Sequence, residues 1–126
     1  CGRHGCYETL GAGPGMQHLA NMIIGKPVPA PKLAARNDAN AQQVLQIWSN
    51  IIAELVGVLQ LTIDPDCIVL GGGLSNIPGV AKLIHADVVA KGLRGTDVPK
   101  IVPAAFGDSS GTRGAALLAI RERAGK

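Results

Sequence analysis

Apolar positions in this chain recur with two periods. From Asn40 to Ile63 the residues Val44, Ile47, Trp48, Ile51, Ile52, Leu55, Val58, Leu59, Thr62 and Ile63 return every three or four places, the spacing of one buried face on a long helix. Gly57 inside that run weakens helix propensity, so it is expected to mark a close packing contact. Asp64-Pro65 ends the pattern. A second helix is predicted within Pro78 to Lys91, with Val80, Leu83, Ile84 and Val88 on its apolar face and Gly92 and Gly95 closing it. Nearer the start, Pro14 suits the first turn of a helix that carries Met16, Leu19, Ala20 and Ile23 and stops at Gly25 and Pro27. Short helices are predicted over Tyr7–Leu10 and Pro31–Arg36, with a proline-rich connection from Lys26 to Pro31 between the longer elements.

The other period is that of strands. Cys67-Ile68-Val69-Leu70 is brief, apolar and bounded by Asp-Pro before it and three glycines after it, so it predicts a fully buried strand in which Cys67 is a small core residue. Lys100–Ala104 predicts a second strand, with Pro103 at an edge or at its end. A polar glycine loop, Phe106 to Ala116, then opens a last helix to Arg123. Gly114, Ala115 and Ala116 leave that helix almost bare, free to lie close to a neighbour or a ligand. Helix, strand, helix, strand, helix implies a parallel pair with a right-handed crossover. Two strands make too small a sheet to stand alone, so further strands are expected to complete it.

Composition narrows the function classes. A chain of 126 residues, 47% hydrophobic and 17% charged, fits one α/β domain with a substantial core. Its only aromatic residues are Tyr7, Trp48 and Phe106, which leaves no stacking platform for single-stranded nucleic acid. The net charge of +3 is dispersed along the chain, so no nucleic-acid partner is expected. No apolar segment reads as both long and charge-free enough to span a bilayer, and no signal peptide is visible, so a cytoplasmic protein with no membrane partner is expected. The opening Cys1-Gly2-Arg3 reads as a start within a longer polypeptide.

The chemistry gathers at two places. Gly71-Gly72-Gly73 ends a strand without a Cβ at three consecutive positions, and Ser75 and Asn76 stand ready to cap the helix beyond. This strand, glycine turn and helix suits a nucleotide at the carboxyl end of a sheet, and equally a plain tight turn. No Gly-Lys-Ser/Thr follows, which excludes a Walker A loop, and the third glycine of the dinucleotide fingerprint is absent. The second place is Cys1-Gly2-Arg3-His4-Gly5-Cys6, a tight turn with two thiols, beside Glu8. Structural zinc takes four ligands, and this turn offers half of them; His4 and His18 are conceivable further ligands or ordinary surface residues. Glu8 is placed either to complement a helix start or to accept hydrogen bonds from a polyhydroxylated ligand.

Three motifs in register, Cys-Gly-x-x-Gly-Cys-x-Glu at 1 to 8, Asp-Pro-Asp-x-Ile-Val-Leu-Gly-Gly-Gly-Leu-Ser-Asn at 64 to 76 and Gly-Asp-Ser-Ser-Gly-x-Arg-Gly-Ala-Ala at 107 to 116, resemble the carboxyl-terminal half of ROK-family sugar kinases. The resemblance implies part of an actin/Hsp70-like (ribonuclease H-like) ATPase domain. It implies ATP and Mg²⁺ as cofactors, and a hexose or N-acetylhexosamine as acceptor, N-acetylglucosamine first and fructose or mannose next. It implies that Gly71, Gly72 and Gly73, with Ser75, meet adenosine and that Glu8 meets sugar hydroxyls. Cys1 and Cys6 match two of the cysteines of a structural Zn²⁺ site whose other ligands precede Cys1. The groups expected to carry catalysis also precede Cys1: an Asp-x-Gly phosphate loop, the Asn-Asp holding the general base and a Glu-x-Gly-His sugar motif. The 126 residues alone are therefore expected to be catalytically silent, and a homodimer is the expected assembly. The same resemblance admits a sugar-responsive repressor with its helix-turn-helix upstream, although a protein that binds no ATP has no use for a Cβ-free adenosine loop.

Overall fold

Asp38 sets where the longest element begins: its Oδ1 accepts from the backbone N–H of Ala41 at 3.2 Å, capping a 25-residue helix, Ala39–Ile63. In the computed structural model, which describes residues 2, 4–92 and 97–125, the elements run α1 (Tyr7–Gly11), α2 (Gly13–Ile24), α3 (Ala30–Ala34), α4 (Ala39–Ile63), β1 (Cys67–Leu70), a 3₁₀ turn (Gly73–Asn76), α5 (Val80–Lys91), β2 (Lys100–Pro103), a second 3₁₀ turn (Gly107–Ser109) and α6 (Ser110–Ala124). Helix α4 ends where Asp64 turns left-handed at φ 44°, a conformation that Asp tolerates, and Pro65 prevents continuation.

Helix α4 lies between two layers. One side meets α1 and α2 and the other meets α5, and the core formed there is aliphatic around a single indole: Met16, Leu33, Val44, Trp48, Ile84 and Val88 are all buried. The buried stripe matches the one the spacing predicts only in part: Val44 and Trp48 are buried, and Ile51 and Ile52 pack against the core. Ala41, Ala53 and Val56 are enclosed, whereas Ile47, Val58 and Ile63 face outward, because a helix packed on two sides buries two narrow strips rather than one wide face. Gly57 is not a close contact, since a Cβ added there would meet nothing within 4 Å. By length and composition α4 would also suffice to cross a bilayer, contrary to the sequence expectation; here its buried residues form the core against α2 and α5.

Two polar ties lock the layers. Ser49, fully enclosed on α4, donates its hydroxyl to Asp87 on α5, which also accepts from Gln46 Nε2 at 2.8 Å. Gln60 Nε2 donates to the carbonyl of Asp97 at 2.6 Å, fastening the end of α4 to the approach to β2.

Strands β1 and β2 pair in parallel with Cys67 opposite Lys100 and Leu70 opposite Pro103, as the element order implies. The expectation of a fully buried strand is overturned. Ile68, Leu70 and Ile101 pack on the helices, but Cys67 is exposed and Val69 is 61% exposed. The sheet is two strands wide among the described residues and only one of its faces is covered, so alternate side chains point to the open side. Helix α6 likewise buries none of its residues. Gly114 has open space around it, and Leu117, Leu118 and Ile120 are all exposed, so this helix lies on the surface of the described residues instead of pressing closely on a neighbour at Gly114. Gly95, expected to help end α5, lies outside the described residues, and Gly92 serves as the helix's C-cap.

Candidate functional site

The end of β1 meets the amino-terminal helices across a cavity of ≈ 450 Å³. Its floor is apolar, made by Trp48, Ile52 and Leu55 of α4 with Val80 and Ile84 of α5. Its rim is where the sequence places the chemistry: Glu8 on one side, and Gly71, Gly72, Gly73 and Ser75 on the other. Positions some sixty residues apart in sequence thus share one opening.

Each wall has a local cause. Helix α1 is held down by two contacts that sequence reasoning missed. Trp48 Nε1 donates to the carbonyl of Gly11 at 2.8 Å, fixing the junction of α1 and α2 against α4. Gly15 lets α2 press on α1 so closely that a Cβ would stand 2.5 Å from the carbonyl oxygens of Thr9 and Leu10, a distance no side chain tolerates. The run Gly11-Ala12-Gly13-Pro14-Gly15 was the available signal for that close approach. Together these contacts set Glu8, exposed on the first turn of α1, at the rim.

The opposite wall is a backbone wall. Gly72 adopts φ 75°, ψ 178°, a region open essentially only to glycine, and this turns the chain out of β1 into the 3₁₀ turn. Gly71 and Gly73 do not share the positive φ, and a Cβ on any of the three would point into open space. Ser75 Oγ donates to the carbonyl of Gly72 at 2.7 Å, and the Ser75 N–H bonds the same oxygen at 3.1 Å. Ser75 therefore braces the glycine turn and does not cap α5. Asn76 is not a cap either: Gly79 is the N-cap of α5, and Asn76 Nδ2 instead donates at 3.3 Å to Asp108 Oδ2 on the second 3₁₀ turn. The turns following two adjacent parallel strands are thus bridged side by side.

Such a wall can receive a flat or anionic ligand against bare backbone, with a carboxylate across the opening to accept hydroxyl donors. Open space over three glycines fits an adenosine moiety. The metal expectations fare differently. No group of three or more His, Cys, Asp or Glu among the described residues could hold an ion, so a Mg²⁺ here would take its ligands from phosphates and from groups other than these. Cys6 is half-buried and free, Cys1 lies outside the described residues, and among the described residues neither His4 nor His18 joins Cys6 in a group of three ligands.

Comparison with known proteins places these features in context. The model of the ROK family matches residues 1–122. The chain is 34% identical over 125 residues to N-acetyl-D-glucosamine kinase of Escherichia coli O157:H7, and the match takes in 97% of this chain and 41% of the relative. The corresponding kinase of Escherichia coli O1:K1 / APEC is 33% identical with the same coverage. Among solved structures, the ROK hexokinase from Thermus thermophilus superposes with a TM-score of 0.77 at 27% identity, over 97% of this chain and 44% of that one. A ROK family protein from Streptococcus pneumoniae TIGR4, solved in complex with sucrose, superposes with a TM-score of 0.81 at 19% identity, over all of this chain and 46% of that one. The fold is accordingly part of an actin/Hsp70-like ATPase domain, and the chain spans about two fifths of the length of the curated relatives it matches.

Proposed function

The chain belongs to the ROK family, and on that premise we propose that it forms the adenosine-binding and part of the sugar-binding wall of an ATP-dependent sugar kinase, with N-acetylglucosamine as the first-choice acceptor and fructose or mannose next. One observation carries this reading: Glu8 and the Gly71–Gly73 turn, with Ser75, line the same cavity. A sugar and a nucleotide must meet within bonding distance for phosphoryl transfer, and a shared cavity supplies that proximity.

In this reading ATP, with Mg²⁺ on its phosphates, supplies the transferable phosphoryl group. Gly72 and Gly73 let adenosine approach the main chain, Ser75 keeps the turn rigid, and Glu8 orients the acceptor by accepting from its hydroxyls. The apolar floor under them keeps the reacting groups out of bulk water. Among the described residues Glu8 is the only Asp, Glu or His that lines this cavity, so these 126 residues alone are proposed to bind without catalysing. A structural Zn²⁺ in the full-length polypeptide, with Cys1 and Cys6 as two of its ligands, a cytoplasmic location and a homodimeric assembly complete the proposal.

A coupled assay of the native full-length polypeptide with ATP and N-acetylglucosamine, fructose, mannose and glucose tests it. A rate on one sugar at least tenfold above the others, about 1.4 kcal/mol in the barrier, identifies the acceptor. No phosphorylation of any of the four, together with sugar-dependent binding to operator DNA, would replace the kinase with a repressor.

A further inference from the structure

Among the described residues, three side chains that line the cavity can donate a hydrogen bond: those of Tyr7, Trp48 and Ser75. Two of them are committed within the protein, Trp48 Nε1 to the carbonyl of Gly11 and Ser75 Oγ to that of Gly72. The hydroxyl of Tyr7 makes no hydrogen bond among the described residues, and the side chain stands 40% exposed at the rim. Tyr7 and Glu8 are consecutive on the first turn of α1, where side chains leave a helix about 100° apart. Both nevertheless line the cavity, so they flank one end of it from two directions, with the glycine turn at the other end.

We propose that Tyr7 selects an N-acetylated sugar over a plain hexose, its hydroxyl donating to the acetamido carbonyl while Glu8 accepts from sugar hydroxyls. This rests on the sugar-kinase reading above and adds to it the group that discriminates. A carboxylate only accepts, and every hexose carries hydroxyls that can donate to it, so Glu8 recognises a sugar without telling one from another. An acetamido group differs from the hydroxyl it replaces in two respects: its carbonyl oxygen accepts and carries no hydrogen of its own, and its methyl is apolar. The carbonyl matches the one uncommitted side-chain donor of the cavity. The methyl matches the apolar floor, where Ile52 and Leu55 lie. A hexose hydroxyl in the same place sets a polar group over that floor and forgoes the apolar contact. Tyr7 is thus a specificity-determining residue beside a carboxylate that serves any sugar.

Steady-state kinetics of the native full-length polypeptide with N-acetylglucosamine and with glucose, which lacks the acetamido group, tests the assignment. The unsubstituted protein is expected to prefer N-acetylglucosamine in kcat/KM. Tyr7→Phe keeps the ring at an exposed position and removes the hydroxyl, so that preference is expected to fall roughly fivefold, through the KM for N-acetylglucosamine and not the KM for ATP. Glu8→Gln is expected to weaken both sugars and leave the preference as it was. A general loosening of α1 would lower both sugars alike in the Tyr7→Phe protein and so is told apart from lost selection. A Tyr7→Phe protein with the parent's preference, or a parent that takes glucose, fructose or mannose as readily as N-acetylglucosamine, overturns the role of Tyr7 and leaves the kinase reading standing. Loss of the preference in Glu8→Gln alone assigns the discrimination to Glu8 and likewise overturns it. No phosphorylation of any of these sugars by the unsubstituted protein overturns both.

Discussion

Gly72 and Gly73 are neighbours in one turn, yet their replacement by alanine should move stability in opposite directions. At Gly72 the backbone holds φ 75°, ψ 178°, where an L side chain is strained by about 1–3 kcal/mol. At Gly73 no positive φ is required and the added methyl meets open space, so the folded state loses nothing. The unfolded chain, by contrast, loses freedom, which stabilises by roughly 0.4–1 kcal/mol. With a melting shift of roughly 4 °C per kcal/mol for a domain of this size, Gly72→Ala should melt roughly 4–12 °C lower and Gly73→Ala roughly 2–4 °C higher. Thermal unfolding followed by circular dichroism measures both. Nucleotide affinity should separate from stability: Gly73→Val keeps the fold but puts a branched side chain into the cavity that the glycine turn lines, and ADP binding should drop at least tenfold, about 1.4 kcal/mol. A Gly72→Ala protein that melts at or above the parent, or a Gly73→Val protein that binds ADP as the parent does, would refute the backbone-wall argument.

Three further outcomes follow from the packing. Asp87→Ala leaves the enclosed Ser49 hydroxyl without its main acceptor and should cost about 1–3 kcal/mol in urea unfolding, while Ser49→Ala together with Asp87→Ala should cost less than Asp87→Ala alone. Gly15→Ala drives a methyl into the carbonyls of Thr9 and Leu10, so it should displace α1 and raise the KM for sugar through Glu8 more than the KM for ATP in steady-state assays. Asp38 has its carboxyl pKa lowered, first by the hydrogen bond from Arg36 and then by the Ala41 N–H of the α4 cap. Its contribution to stability is therefore complete above the ordinary carboxylate range and is lost as pH falls through the lowered value. Asp38→Asn should flatten the acid limb of a stability profile measured by urea unfolding across that range.

The order and type of every α-helix and strand could be read from residue spacing, because helix and strand periods and the Asp-Pro, Gly and Pro punctuation act locally, whereas the two 3₁₀ turns could not. Asp64 after α4, Gly25 after α2 and Gly71 after β1 set those boundaries through backbone chemistry that a neighbouring segment does not alter, whereas the Asp38 cap of α4 went unread in the sequence. The candidate site was legible as two motifs, the glycine triplet and Glu8, but not as one place. Tertiary structure brought them to one cavity, by way of the Trp48 hydrogen bond to Gly11, which joins residues too far apart for any periodicity to connect, together with the close approach of α2 to α1 over Gly15. It also decided which apolar side chains are enclosed. Val69, Cys67 and the apolar Leu117, Leu118 and Ile120 of α6 carry core-like side chains yet face outward, since burial depends on what packs opposite a residue and not on the residue alone. For the same reason Ser75 and Asn76 became a brace and a bridge instead of caps. Their hydrogen-bonding groups suited either role; for Ser75 the left-handed Gly72 three residues earlier settled it locally, and for Asn76 the partner Asp108 is brought alongside by the parallel pairing of β1 with β2.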